Sequence, residues 1–191
     1  MVVGSAMHKM TEQRMKGQSF EVAIEAGLQA IENVADYEIE YGKTGSREKI
    51  IEQYQKLSTT VINELPTYDN VLAVEDKIEC NLSVMNKKIP MKGYIDLVLD
   101  LGDSLEVIDW KSVTNYSDEE TENWSYIIQG WIYSKLAEYK YKKPVSRVVF
   151  KEIKKTINRD GQPQIKDYVL NAENLAEADD IMGRVIKSVS D

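Results

Sequence analysis

The chain has 191 residues, 42% hydrophobic and 29% charged, with a formal net charge of −8. That balance suits a globular chain able to bury its own core, and it predicts a single domain over residues 1–191. One cysteine, Cys80, excludes an internal disulfide framework and a four-cysteine zinc or iron–sulfur site, while the lack of an 18-residue apolar run or a signal-peptide core argues against membrane insertion and export.

Residues 4–34 predict a first helix, with Met7, Met10, Met15, Val22, Ile24, Leu28 and Ile31 as an imperfect apolar stripe. Gly42–Ser46 reads as a turn, and 47–64 as a second helix closed by Pro66. Three extended segments follow, Val71–Val84, Ile89–Leu101 and Ser104–Val113, separated by the turn sequences MNKK (85–88) and GD (102–103). A long helix is expected over 118–141, opened by SDEE, whose carboxylates would face the positive end of its dipole. Strands at 145–154 and 164–170 and a last helix, capped by Asn171 and running to about 188, complete the order. Each of the four prolines is expected at a turn. The α-α-β-β-β-α-β-β-α order predicts the α/β class, with a central mixed sheet flanked by helices.

The chemistry concentrates in two strands. Asp96 lies in GYIDLVLD among apolar neighbours, where a buried carboxylate needs a cationic partner. On the next strand, EVIDWKS places Asp109 and Lys111 two residues apart and so on one side. Pairing around the tight turn brings Asp96 near Asp109, and facing carboxylates repel unless a divalent cation lies between them. Oxygen-rich sites of this kind select magnesium, manganese or calcium. Taken alone, Asp109–Lys111 reads equally as a solvated surface pair. Glu75 is a weaker candidate for a carboxylate near the metal, since strand-face glutamates are mostly exposed.

An aspartate, a turn, then apolar–apolar–Asp–x–Lys resembles the PD-(D/E)XK nuclease superfamily. Two further motifs are similar to those of its RecB-like exonuclease branch: QGWIY, with Gln129 and Tyr133 four apart on one helical face, and VVGSAMHKMTE, with Gly4-Ser5-x-x-His8. His8 is the only histidine. The elements stand in the family's order over residues 4–133. The second acid is Asp109, where many members have glutamate. The resemblance implies a restriction-endonuclease-like core and a metal-dependent DNA exonuclease of phage or bacterial recombination, repair or DNA processing, acting in the cytoplasm. It implies one or two Mg2+ or Mn2+ ions held by His8, Asp96, Asp109 and the carbonyl of Trp110, and no iron–sulfur cluster. Lys111 would then act on the attacking water or the transition state, and Gln129 and Tyr133 would reach a phosphate, a base or Lys111. The implied partners are DNA, single-stranded or as duplex ends, and a single-strand-binding or recombination protein. Oligomeric state is left open, and the short segment before His8 leaves no room for a helicase domain. An endonuclease of the same fold and a non-catalytic nucleic-acid-binding module are the alternatives. Lys9, Arg14, Lys16, Lys151, Lys154 and Lys155 are candidates for backbone contacts. Trp124, Tyr126 and Trp131 are candidates for base stacking, with Trp131 better read as core.

Overall fold

A computed structural model describes residues 2–41, 45–84, 87–118, 122–159 and 161–190. The elements are α1 (Val2–Met15), α2 (Phe20–Glu32), α3 (Arg47–Val61), β1 (Val71–Val84), β2 (Lys87–Asp100), β3 (Leu105–Val113), α4 (Trp124–Tyr141), β4 (Val145–Lys154), β5 (Ile165–Asn171) and α5 (Ala172–Ser190), with one 3-10 turn at Asp36–Glu38. Two compact units interleave along the chain. The first comprises residues 1–68, 110–116 and 151–166; the second comprises 69–109, 117–150 and 167–191.

The five strands form one sheet in the order β1-β2-β3-β4-β5. β1 with β2 and β2 with β3 are antiparallel. Leu105 N–H donates to the Pro144 carbonyl at one end of β3, and Lys155 N–H to the Val113 carbonyl at the other, so β3 and β4 run parallel. A hairpin return, with Lys154 N–H donating to the Gln164 carbonyl, leads to β5. The mixed sheet and α/β class agree with the sequence expectation.

In the second unit, α4 packs on β1, β2 and α5. Its core joins Val98, Leu105 and Val107 of the sheet to Tyr133, Leu136 and Ala137 of α4 and to Phe150. Tyr126 stacks on Phe150 at 4.2 Å and meets Tyr168 edge-on at 5.3 Å. The first unit is built from α1, α2 and α3, which bury Met7, Met10, Ile31, Tyr54 and Leu57. Tyr54 Oη donates to the Ile24 carbonyl at 2.7 Å. Gly27 makes this approach possible, because a Cβ there would fall 2.0 Å from Tyr54 Oη. Arg47 donates to the Ile31 and Val34 carbonyls, both at 2.6 Å, and so closes the end of α2.

Three expectations need correction. The helix over 4–34 is two helices: Gly17, at φ 79°, ends α1, and Ser19 caps α2 with its Oγ accepting from Val22 N–H. The long helix begins at Trp124 rather than 118, because Asn123 caps it by accepting from Tyr126 N–H; its first turn holds no acid. Within SDEE, Ser117 and Asp118 precede that cap, and Glu119 and Glu120 lie outside the described residues. Pro90 sits inside β2 opposite Asn81, not at a turn. It is tolerated there because the β2–β3 register covers only Leu97–Asp100. Residues 42–44 of the Gly42–Ser46 turn and 85–86 of MNKK lie outside the described residues.

Candidate active site

The carboxylates of the second unit are placed by strand register. The β1–β2 pairs Val74↔Leu97 and Asp76↔Ile95 bracket Glu75 and Asp96, which therefore stand opposite each other. Continued one step past its last pair, Leu97↔Ile108, the β2–β3 register brings Asp96 beside Asp109. Glu75, Asp96 and Asp109 thus form a row across three adjacent strands. Asp96 and Asp109 are buried, at 7% and 2% exposure. On the same face, Val98 and Val107 carry the row into the core.

Glu75 has φ 54°, in the left-handed region, although it lies within a strand. Such backbone costs a side-chain-bearing residue on the order of 1–2 kcal/mol and persists only where the surroundings over-determine it. Glu75 and Asp96 offer carboxylate oxygens within 4.8 Å of one another. Carboxylates at that spacing and burial fit a hard divalent cation, whose charge removes the repulsion that the row otherwise carries.

α4 supplies the groups that meet this row. Its Gln129 Nε2 donates to Tyr133 Oη at 2.7 Å. The Tyr133 hydroxyl lies within the field of the Asp109 carboxylate, and Asp109 Oδ2 is buried without a hydrogen-bond partner among the described residues. Burial, the negative charge of Asp109 and, more weakly, that of Asp96 push the Tyr133 phenol far above its ordinary value, although the Gln129 amide opposes the shift. Tyr133 therefore stays protonated. Gly93 leaves room for α4 over β2, since a Cβ there would meet Leu136 Cδ1 at 2.6 Å and Tyr133 Cε1 at 3.6 Å.

β3 passes into the first unit between Asp109 and Trp110. There His8, Trp110 and Lys111 line a cavity of about 610 Å³ with Gly4 and Ser5. Gly4 has a packing reason: its Cβ would lie 3.2 Å from Ser112 Cβ, so α1 approaches β3 closely at this point. His8 follows one turn later and is half-buried. The Trp110 side chain is 6% exposed, and alternation turns it away from the side that Asp109 and Lys111 share.

Other candidates sort differently. Tyr126 is buried in the stack with Phe150 and cannot receive a base. Trp131 is core, as its sequence setting suggested, and its Nε1 donates to Asp179 Oδ1 at 2.8 Å. Trp124 is 48% exposed. Lys9 and Lys16 both pair with Glu12, and Arg14 donates to the Gln18 carbonyl while lying 4.3 Å from the Phe20 ring centre. Lys154 lies over the Tyr116 ring. Of the candidate backbone cations, Lys155 lines the cavity that contains Lys111. Glu75, the weaker candidate of the sequence reading, is set opposite Asp96 by the register that runs back from Val84↔Lys87.

No curated protein matches the sequence. Among solved structures, a protein of Eubacterium rectale described as a "Putative exonuclease" superposes with a TM-score of 0.57 at 13% identity, over 95% of this chain and 66% of that one. The chain therefore spans just under two-thirds of that protein, and at this identity the likeness is one of fold. The crystal structure of SSO0001 matches at 16% identity over 95% of this chain and 72% of that one, with a TM-score of 0.37 that carries no argument. The model of the PD-(D/E)XK nuclease superfamily matches residues 1–191. Among the described residues, no helix is long and apolar enough to cross a membrane. With the model matching the whole length, the chain belongs to the PD-(D/E)XK nuclease superfamily.

Proposed function

We propose that this protein is a metal-dependent DNA exonuclease, a single nuclease domain over residues 1–191 that hydrolyses phosphodiester bonds from single-stranded or duplex ends during phage or bacterial recombination or repair. The observation that carries this reading is the carboxylate row, in which Asp96 stands opposite both Glu75 and Asp109 with Lys111 two residues further along β3. Asp96, Asp109, Glu75 and the Trp110 carbonyl are the proposed oxygen ligands of Mg2+ or Mn2+. His8 is the proposed nitrogen ligand, which tilts the preference towards manganese without excluding magnesium. A bound divalent cation supplies Lewis acidity at the scissile phosphate and acidifies the attacking water.

The chain's own groups do the rest. Lys111 projects on the Asp109 side of β3, where its ammonium orients the water and offsets charge growing on the phosphate. The Tyr133 hydroxyl, held by Gln129, is the proposed donor that orients the Asp109 carboxylate when the metal is bound. Burial of Asp96 and Asp109 strengthens every charge interaction at this place.

Labelled linear and circular DNA, incubated with Mg2+ or Mn2+, test the reading. Wild-type protein should shorten linear DNA and spare circles. Asp96→Asn, Asp109→Asn and Lys111→Ala should each lower the rate on the order of a hundredfold or more. No cleavage by the wild type, or wild-type rates in the three variants, would refute it; cleavage of circles would make the protein an endonuclease of the same fold.

A further inference from the structure

In the first unit, the cavity that holds His8 and Lys111 has a neighbour. A second hollow of about 350 Å³ is lined by Lys49, Gln53 and Lys56 of α3 and by Thr156. Lys155 lines both hollows. Lys155 is thus a residue the two hollows share; Lys111 lines the first, and Lys49 lines the second, where Lys56 pairs with Glu52 at 2.6 Å.

Lys155 is also held firmly. Gln164, at 1% exposure, donates from Nε2 to the Lys154 carbonyl at 2.7 Å and to the Thr156 carbonyl at 2.9 Å, which fixes the chain on both sides. Gln53 Nε2 donates to the Lys155 carbonyl at 3.2 Å, and Lys155 N–H donates to the Val113 carbonyl at 2.9 Å. Glu64 anchors Gln164 in turn, accepting from its backbone N–H at 2.7 Å. Among the described residues, the Lys155 ammonium enters no ion pair. Lys9 and Lys16, by contrast, are held on Glu12. In a chain of net charge −8, a lysine with a fixed backbone and an uncommitted ammonium between two hollows is suited to a polyanion.

Resting on the nuclease reading, we propose that Lys155 is a positioning residue for the nucleic-acid backbone. It grips a phosphate beside the Lys111 cavity and passes the strand on to the hollow lined by Lys49 and Gln53 of α3. Each phosphate contact contributes through release of condensed counterions, so it shows in the salt dependence of binding. The rigid backbone keeps the entropy cost of that grip low.

The test measures steady-state cleavage of a linear DNA oligonucleotide with Mg2+ or Mn2+. It also measures binding of labelled single-stranded and duplex oligonucleotides in chelator across a salt series. For Lys155→Gln, KM should rise roughly threefold to tenfold with kcat held. The slope of log K against log salt should become shallower by about 0.7–0.9, one phosphate contact. Lys155→Arg should restore both, and Lys187→Gln, the same charge change on α5, should alter neither. Wild-type cleavage combined with an unchanged KM and slope in Lys155→Gln would overturn this assignment alone, as would a loss confined to kcat. Wild-type protein that neither binds nor cleaves DNA would overturn the nuclease reading beneath it. Should Lys155→Gln lower the melting temperature, Lys155→Arg decides: failure of the retained charge to restore KM and slope overturns the proposal.

Discussion

Glu75, in the carboxylate row, has a strained backbone, and Tyr133, in the field of Asp109 and Asp96, keeps its proton. Relieving the strain should separate stability from activity. Glu75→Gly removes the penalty of φ 54°, so denaturation in chelator should show a gain of about 1 kcal/mol, while cleavage falls because one carboxylate has left the row. A loss of stability in that experiment would show that the Glu75 side chain contributes more than its backbone costs. Tyr133→Phe tests the other end. The ring and its packing remain, but Gln129 loses its acceptor and Asp109 the hydroxyl proposed to orient it. Loss of such an orienting partner typically costs 10–100-fold in metal affinity or activity, so the Mn2+ concentration needed for half-maximal cleavage should rise. Asp96, Asp109 and Lys111 were legible in the sequence because a charged residue amid apolar strand neighbours is a local contradiction. Glu75 was not, because nothing in its immediate surroundings distinguishes it from a solvated glutamate.

At the scale of elements, strands were read almost to the residue, and helices less well. The strands are bounded by turns whose residues announce themselves, whereas helix ends depend on caps that compete. Ser19 and Asn123 do the capping, at positions that the expected helices over 4–34 and 118–141 placed inside them. The apolar stripe continued through 4–34 because α1 and α2 both bury a face in the same unit, and only Gly17 marks the break. α1 also carries a pH dependence. Burial pushes the Glu12 carboxyl up, but its hydrogen bonds to Lys16 and Lys9, and their charges, more than offset this and leave it below its ordinary value of 4.5. A carboxyl depressed in the folded state stabilises the fold above its unfolded value and loses that contribution as the pH falls through its folded value. Thermal melts should therefore show wild type more stable than Glu12→Gln at neutral pH, with the gap closing below about pH 4.5. A gap that widens on acidification would contradict the pairing.

For the molecule as a whole, the carboxylate row has a thermodynamic consequence. An acidic chain that concentrates carboxylates in a buried row should gain stability from a divalent cation by mass action. At a cation concentration about 100 times its Kd the gain is about 2.7 kcal/mol. Melting with and without Mn2+, in the absence of DNA, measures this directly. The rise should disappear in Asp96→Asn, and a rise that survives there would place the cation elsewhere. Composition, turn residues and the Asp–x–Lys, Gln-x-x-x-Tyr and Gly-Ser-x-x-His spacings determined the class, the strands, the family and most of the candidate site. They could do so because period, turn chemistry and motif spacing are properties of neighbours in the chain. Tertiary structure alone decided that Glu75 joins the row, that Tyr133 lies in the field of Asp109, that Tyr126 belongs to the core, and that Lys155 rather than Lys9 or Lys16 keeps its charge uncommitted. Each of these depends on which residues from distant parts of the chain come to lie opposite one another, and that is set by strand register and packing.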